Sequence, residues 1–327
     1  MDLISHGLVG VVVGKGLNLD KKSWFLFVAA CTLPDFDGVS ILGGIDAVFQ
    51  YHRGITHSIT GIIVGSAILG LLYLVMTVRS PGFQKRDVLM MFSLFLAGAF
   101  GHLFLDLLTP WSMAILWPFS DARAVFDITS FFDPVFFAVF LSAAIIGYYR
   151  KDKKTWKVLT VVSLCLVSSF FGIRYYEKGV AISTVEEQTG EEVQALPTSL
   201  PHLWSVVAQT EGEKVWTYHI YTVNALSREI LETRTVETLP LTDTAVEPPI
   251  DSPEKAASYS RKDGKIRAFL AKARLPVVEV TEAGEEGWQV LWYDAFMGDE
   301  PRHSGITARI GKDGTITVHY SLFPEAK

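Results

Sequence analysis

Four long stretches in the first half of the chain are almost free of charge, and they restrict the fold more than any motif does. Ile59 to Val78, Pro134 to Tyr149 and Val158 to Ile173 carry no charged residue, and Val88 to Leu105 carries only His102. Runs of this length approach the roughly 20 residues a helix needs to cross ~30 Å of hydrocarbon. Inside a bilayer every backbone donor and acceptor must be satisfied within the protein, so these runs are expected to be membrane helices packed as a bundle. Leu8 to Val13 and Trp24 to Leu33 are too brief to span alone and predict a re-entrant or partly inserted helical hairpin. The basic region that opens a cleavable signal is missing, since Asp2 and His6 come first.

The mean hydropathy of +0.29 is too high for a soluble enzyme of 327 residues, and the excess lies almost wholly before residue 177. A net charge of -6, with no basic stripe interleaved with aromatics, excludes nucleic acid as the expected partner. Cys31 and Cys165 both lie in apolar segments, so any metal here must be held by nitrogen and oxygen.

Lys and Arg cluster in three short connections: Lys15 with Lys21 and Lys22; Arg79 with Lys85 and Arg86; and Arg150 to Lys157. The positive-inside rule assigns these to the cytoplasm. The stretch from Pro110 to Asp133 and everything after Tyr176 are then expected outside. That assignment uses no His or Asp, yet it brings Asp35, Asp37, His52, His57, His102, Asp106 and Asp133 to the outer ends of their segments. His6 joins them if the first hairpin dips in from outside.

Three motifs supply the chemistry. In Leu33-Pro34-Asp35-Phe36-Asp37-Gly38, Pro34 disfavours helix at Leu33, and alternation in an extended run would set Asp35 and Asp37 on one side. The competing reading is a capping Asp followed by a turn Asp. In Tyr51 to Ser58, His52 and His57 can share an ion only if His52 precedes the helix, a break that Gly54 permits. Thr56 and Ser58 are placed to cap that helix or to hydrogen-bond a ligating imidazole; two interfacial histidines with Arg53 on a lipid phosphate is the alternative. In Gly101 to Pro110, the spacing of four puts His102 and Asp106 on one helix face. A structural His-Asp hydrogen bond would also satisfy that pair. Trp111, Trp117 and Phe119 read as interfacial anchors, and Asp127 and Asp133 as either late ligands, a general base, or ordinary surface polar residues.

A site of His and Asp without thiolate favours Zn²⁺, as one or two ions, over Mn²⁺ or Mg²⁺. The metal ligands expected are His6, Asp35, Asp37, His52, His57, His102 and Asp106. Arg53 is expected to neutralise a phosphate oxygen, and Asp37 or Asp133 to act as base. The early His6, the Leu-Pro-Asp-x-Asp of Leu33 to Asp37, the His-Arg-Gly-x-Thr-His-Ser of His52 to Ser58, the Gly-His-x3-Asp-x2-Thr-Pro of Gly101 to Pro110, and Leu116 to Phe119 together resemble the YdjM-like family of LexA-regulated, inner-membrane metal-dependent hydrolases. The resemblance covers roughly residues 1 to 150. It implies a multi-pass protein of the plasma (inner) membrane acting on a membrane lipid or lipid-linked substrate. A looser likeness to the zinc-dependent phospholipase C and nuclease group points toward a phosphoester, although this chain has no His-x3-Glu pair of the kind that group uses.

After Val180 the pattern turns to alternating, Thr- and Val-rich strands. Trp204 to Gln209, Lys214 to Val223, Ile230 to Thr238, Val277 to Thr281, Trp288 to Asp294, Ile306 to Ile310 and Thr315 to Leu322 are expected strands. One amphipathic helix is expected over Ser252 to Lys272, and a hairpin turn at Lys312-Asp313-Gly314. His202, His219, His303 and His319 show no ligand spacing. The expected architecture is an all-α polytopic membrane domain, residues 1–176, holding a metal-dependent hydrolase site at its outer face, followed by a small soluble α+β domain outside the membrane, residues 177–327. A metal-ion transporter or sensor, and an inert scaffold with an outer binding domain, are the rival functions.

Overall fold

The computed structural model describes residues 1–43, 47–48, 51–241, 246–284, 287–296, 305–311 and 313–321. The chain divides into two compact units, one of Met1–Val39, Tyr51–Gly179 and Leu196–Leu203, the other of Ser40–Gln50, Val180–Ala195 and Trp204–Lys327. The first is helical and the second contains two antiparallel sheets.

The helical unit begins with α1 (Leu3–Gly16), capped by the Asp2 carboxylate, and α2 (Lys21–Thr32), capped by Asp20. A 3₁₀ helix, Leu33–Gly43, continues directly from α2. Of the extended or turn-like courses open to the residues after Pro34, the tightly wound one forms. Pro34 has no N–H to give an α-helical bond, and the winding tightens there instead of stopping. The hairpin reading changes with it, because Lys21–Gly43 is 23 residues of apolar helix, long enough to cross a membrane. Ile59–Thr77 (α3), Lys85–Leu107 (α4) and Lys153–Thr189 (α6) are also long and apolar enough, whereas α1 and α5 (Pro134–Arg150) are shorter. By length and composition, then, four helices among the described residues qualify as spans.

Lipid tails are as apolar as the side chains, so the helices associate through close packing more than through escape from water. Small residues make that approach possible: a Cβ on Gly10 of α1 would lie 3.0 Å from the Val28 Cα of α2. Leu26, Phe27, Ala30 and Cys31 of α2 pack with Leu69 of α3 and with Met91 and Phe95 of α4. Val12 of α1 packs with Phe136 and Phe140 of α5 and Val167 of α6. The last helix does not stop near Ile173 as expected but runs unbroken for 37 residues. Its early turns are lipid-type and its final turns bury Val180, Ala181 and Val185 in the core of the first sheet, so one helix serves two environments.

That sheet is β1 (Val193–Pro197), β2 (Leu203–Glu211), β3 (Trp216–Asn224) and β4 (Glu229–Thr238), in sequential order. The second is β5 (Pro276–Glu282), β6 (Trp288–Asp294), β7 (Gly305–Ile310) and β8 (Ile316–Ser321), also sequential. β1 was missed because its five residues include Pro197 and show no clean alternation. The single amphipathic helix is in fact two, α7 (Pro253–Ser260) and α8 (Gly264–Leu270), because the Asp263 carboxylate takes the Lys265 and Ile266 N–H groups and starts a new helix. Ser252 caps α7 with Pro253 at its first position, as the sequence predicts. His202 and His319 are solvent-facing or partly so, and His219 is half-buried beside Thr235, 3.5 Å away. His303, Lys312 and Leu322 lie outside the described residues.

The second sheet's core is built on Trp292, whose indole N–H donates to Ser260 Oγ at 2.9 Å. Trp292→Ala should therefore destabilise this unit by about 3–5 kcal/mol. The expected readout is faster proteolysis within residues 250–321 at unchanged cleavage of the helical unit.

Candidate metal centre

Three segments of the helical unit bring the site together: the start of the 3₁₀ helix after α2, the loop before α3, and the last turns of α4. The loop is shaped by a reversal at Tyr51 to Gly54, where the Gly54 N–H donates to Tyr51 O at 3.0 Å and Arg53 takes a positive φ of 56°. A short 3₁₀ turn, Ile55–His57, follows, and Ser58 Oγ accepts the Gly61 N–H at 2.9 Å to cap α3. His52 thus precedes the helix and His57 sits in the turn that enters it. Gly61 is tied to this arrangement, since a Cβ there would stand 2.0 Å from Ile55 O.

Asp35, His57, His102 and Asp106 present four donor atoms that all lie within 4.8 Å of one another and can hold a metal ion. His57 Nε2 is 3.4 Å from Asp35 Oδ1, 3.3 Å from Asp106 Oδ2 and 3.4 Å from His102 Nε2. His102 Nε2 is 3.6 Å from Asp35 Oδ1 and 3.7 Å from Asp106 Oδ2. Donors at zinc–nitrogen and zinc–oxygen bond lengths around one ion lie about 3.3–3.6 Å apart, and the five separations above, 3.3 to 3.7 Å, are of that size. A second fact agrees with this fit. Asp35 Oδ2 and Asp106 Oδ2 are buried without a hydrogen bond, although Asp106 Oδ2 is 3.1 Å from Arg53 Nη2. Buried carboxylate oxygens without donors are costly unless a cation serves them.

The nitrogens behind these donors are also fixed. His102 Nδ1 donates to the Cys31 carbonyl at 2.8 Å, which leaves its Nε2 lone pair facing the cluster. His57 Nδ1 is 3.1 Å from Asp37 Oδ2, the carboxylate–imidazole pairing that orients metal-binding histidines. Asp37 holds the whole loop: it also accepts from the Arg53 N–H at 3.0 Å and Thr56 Oγ1 at 2.5 Å, and lies 2.7 Å from His52 Nδ1. Asp37, His52 and His57 form a second group close enough for an ion. A pair of ions would need both nitrogens of His57, one for each.

His6 stacks on His102 with ring centroids 3.6 Å apart, and its Nε2 is 3.1 Å from Asp106 Oδ1, which the Met1 amino group also contacts. It adjoins the four-donor group without belonging to it. Arg53 and Asp133 are already engaged within the fold. The Arg53 guanidinium is buried, with its Nη atoms on Thr109 Oγ1, Trp111 O and Asp106 and its Nε without a partner among the described residues. Asp133 caps α5, accepting from the Val135 and Phe136 N–H groups at 3.0 Å and from Thr129 Oγ1 at 2.6 Å, and is not brought to the cluster. Trp111, read as a membrane anchor, instead stands 6.2 Å from the His52 ring and 5.9 Å from the Arg53 guanidinium. Nothing in the sequence marks the Cys31 carbonyl, because a backbone acceptor has no side-chain signature.

A cavity of about 610 Å³ adjoins the centre, bounded by Asp35 and His52 among others. Among the described residues His52 hydrogen-bonds through Nδ1, to Asp37, and its Nε2 lies on the other side of the ring.

Across the full chain, the uncharacterized protein YfhP of Bacillus subtilis (strain 168) is 22% identical over 345 aligned positions, covering 100% of this chain and 97% of the relative. No solved structure matches. A family model described as YdjM inner membrane protein matches residues 1–178, the segment that carries the apolar helices and every donor of the His/Asp cluster. By that match, over more than half its length, the chain belongs to the YdjM inner membrane protein family.

Proposed function

We propose that this protein is a membrane-embedded, metal-dependent hydrolase that cleaves an ester or phosphoester of a lipid or lipid-linked substrate, with its site on the extracytoplasmic side. The observation that carries the reading is the set of Asp35, His57, His102 and Asp106 donors, all within 4.8 Å of one another, at the edge of a cavity. Two imidazoles among the donors favour Zn²⁺ over Mg²⁺, which prefers an all-oxygen octahedron. A bound Zn²⁺ would supply a Lewis acid that lowers the pKa of water and polarises the scissile group. The protein's own residues do the rest. His52, oriented by Asp37, is placed to take a proton from water and return it to the leaving oxygen. Asp37 itself is occupied by donors on both oxygens and serves to position His52 and His57.

Sidedness is supported by the ends at which charges fall. Lys15 ends α1, Lys21 and Lys22 start α2, Lys85 and Arg86 start α4, and Arg150 ends α5. The donors occupy the opposite ends of these elements, and positive-inside reasoning sets them outside. A transporter would need ligands along a path through the bilayer. Ile59–Thr77 and Pro134–Arg150 contain no Asp, Glu or His, which favours a hydrolase over transport.

The test pairs metal content with turnover in purified protein. Wild type should bind zinc and release product from labelled phospholipids, lipid-linked phosphates or acyl esters. His52→Ala should keep its zinc while losing about 10²–10⁴-fold in turnover. Zinc uptake into vesicles with no product from any substrate would refute the hydrolase.

A further inference from the structure

The cavity beside the four donors has a charge character that separates ester from phosphate substrates. Its volume of about 610 Å³ is ample for part of an amphiphile. Leu3, Phe36 and Val39 form its apolar wall and are 54%, 68% and 65% exposed. At the ends of membrane helices such exposure is met by acyl chains, so the wall is continuous with hydrocarbon. The polar end is Thr32, Asp35 and His52.

No Lys or Arg lines this cavity among the described residues, and between Lys22 and Arg53 the sequence contains neither. Arg53 is buried with its Nη atoms on Asp106, Thr109 and Trp111, Arg123 is held by Ser112, and neither lines the cavity. The start of α1 also borders the cavity, but the Asp2 carboxylate already takes the Ser5 N–H and hydroxyl there. A phosphate monoester carries about -1.5 to -2 charge and is normally held by Arg, Lys or free helix N–H groups. Nor does a metal leave surplus positive charge: a divalent ion, Arg53 and the Met1 amino group together are balanced by Asp2, Asp35, Asp37 and Asp106.

We propose that this cavity takes an amphiphile whose hydrolysable group is uncharged, a carboxylic ester, and discriminates against a terminal phosphate. The claim rests on the hydrolase reading for its chemistry, though not for its binding. In the reaction the oxygen of water joins the acyl carbon and the acyl carbon–oxygen bond breaks. One water proton passes through His52 to the departing oxygen, and acid and alcohol are formed.

The experiment uses full-length protein in lipid nanodiscs with two photoreactive lipids of identical acyl chains, a diacylglycerol and a phosphatidic acid, each bearing a diazirine near the chain's start. Cross-links are mapped by mass spectrometry. The diacylglycerol should label the Leu3 and Phe36 to Val39 segments about tenfold more than the phosphatidic acid, the scale of a missing hydrogen bond to a charged group. Val39→Lys should erase or reverse that ratio. Equal or greater labelling by the phosphatidic acid, or no labelling of these segments by either probe, overturns the proposal. In the same samples, selective labelling without ester turnover would sink the hydrolase reading alone, and release of inorganic phosphate faster than fatty acid would sink the ester preference alone.

Discussion

His57→Ala should strip the protein of its metal, with zinc affinity falling at least about a thousandfold, or ~4 kcal/mol, and turnover falling with it. The size follows from how much this imidazole does. Its Nε2 is within 3.4 Å of Asp35, Asp106 and His102, and its Nδ1 faces Asp37. Removing it leaves two carboxylates without the donor between them and reduces the four-donor set to three. Zinc per chain, measured on protein that remains monodisperse and helical, checks this. His102→Ala is the companion variant, because it removes a donor without disturbing Asp37. Retention of stoichiometric zinc by both variants would show that the ion, if bound, sits elsewhere.

Asp37→Asn should cost about 10–100-fold in zinc affinity, the usual effect of removing a carboxylate behind a metal-binding His. The amide keeps the shape and one acceptor oxygen, so the loop from His52 to His57 should still form. It cannot take N–H bonds on both sides, and so loses its hold on either His52 or His57. Turnover should fall further than affinity, since His52 loses its orientation as well. Competition with a chelator of known strength measures the first effect, and rates at saturating zinc the second. Loss of affinity as severe as in His57→Ala would instead place Asp37 in direct contact with an ion.

The convergence of donors was legible because ionisable residues are expensive in apolar runs and so stand out against them. His102 and Asp106 follow directly from helical spacing, and Ser58 and Gly54 from ordinary capping and turn chemistry. The division of labour within the cluster was not legible. Whether Asp37 touches an ion or a histidine depends on the winding of Leu33–Gly43, where Pro34 tightens the helix but does not end it. The fate of Arg53 likewise depends on Thr109 and Trp111, more than fifty residues on. In the second unit the alternating strands could be read, while the break at Asp263 was hidden by an amphipathic pattern that runs across it.

Because the donors come from the end of α2, the turn into α3 and the end of α4, no single segment can bind the ion as it leaves the insertion machinery. Biogenesis must deliver three separately inserted pieces before coordination is possible. Until then Asp35 would lack the cation proposed to serve it, at a cost that burial makes large. An ion bound there, as proposed, would therefore enter late in assembly, and depleting zinc during growth should lower the yield of folded protein.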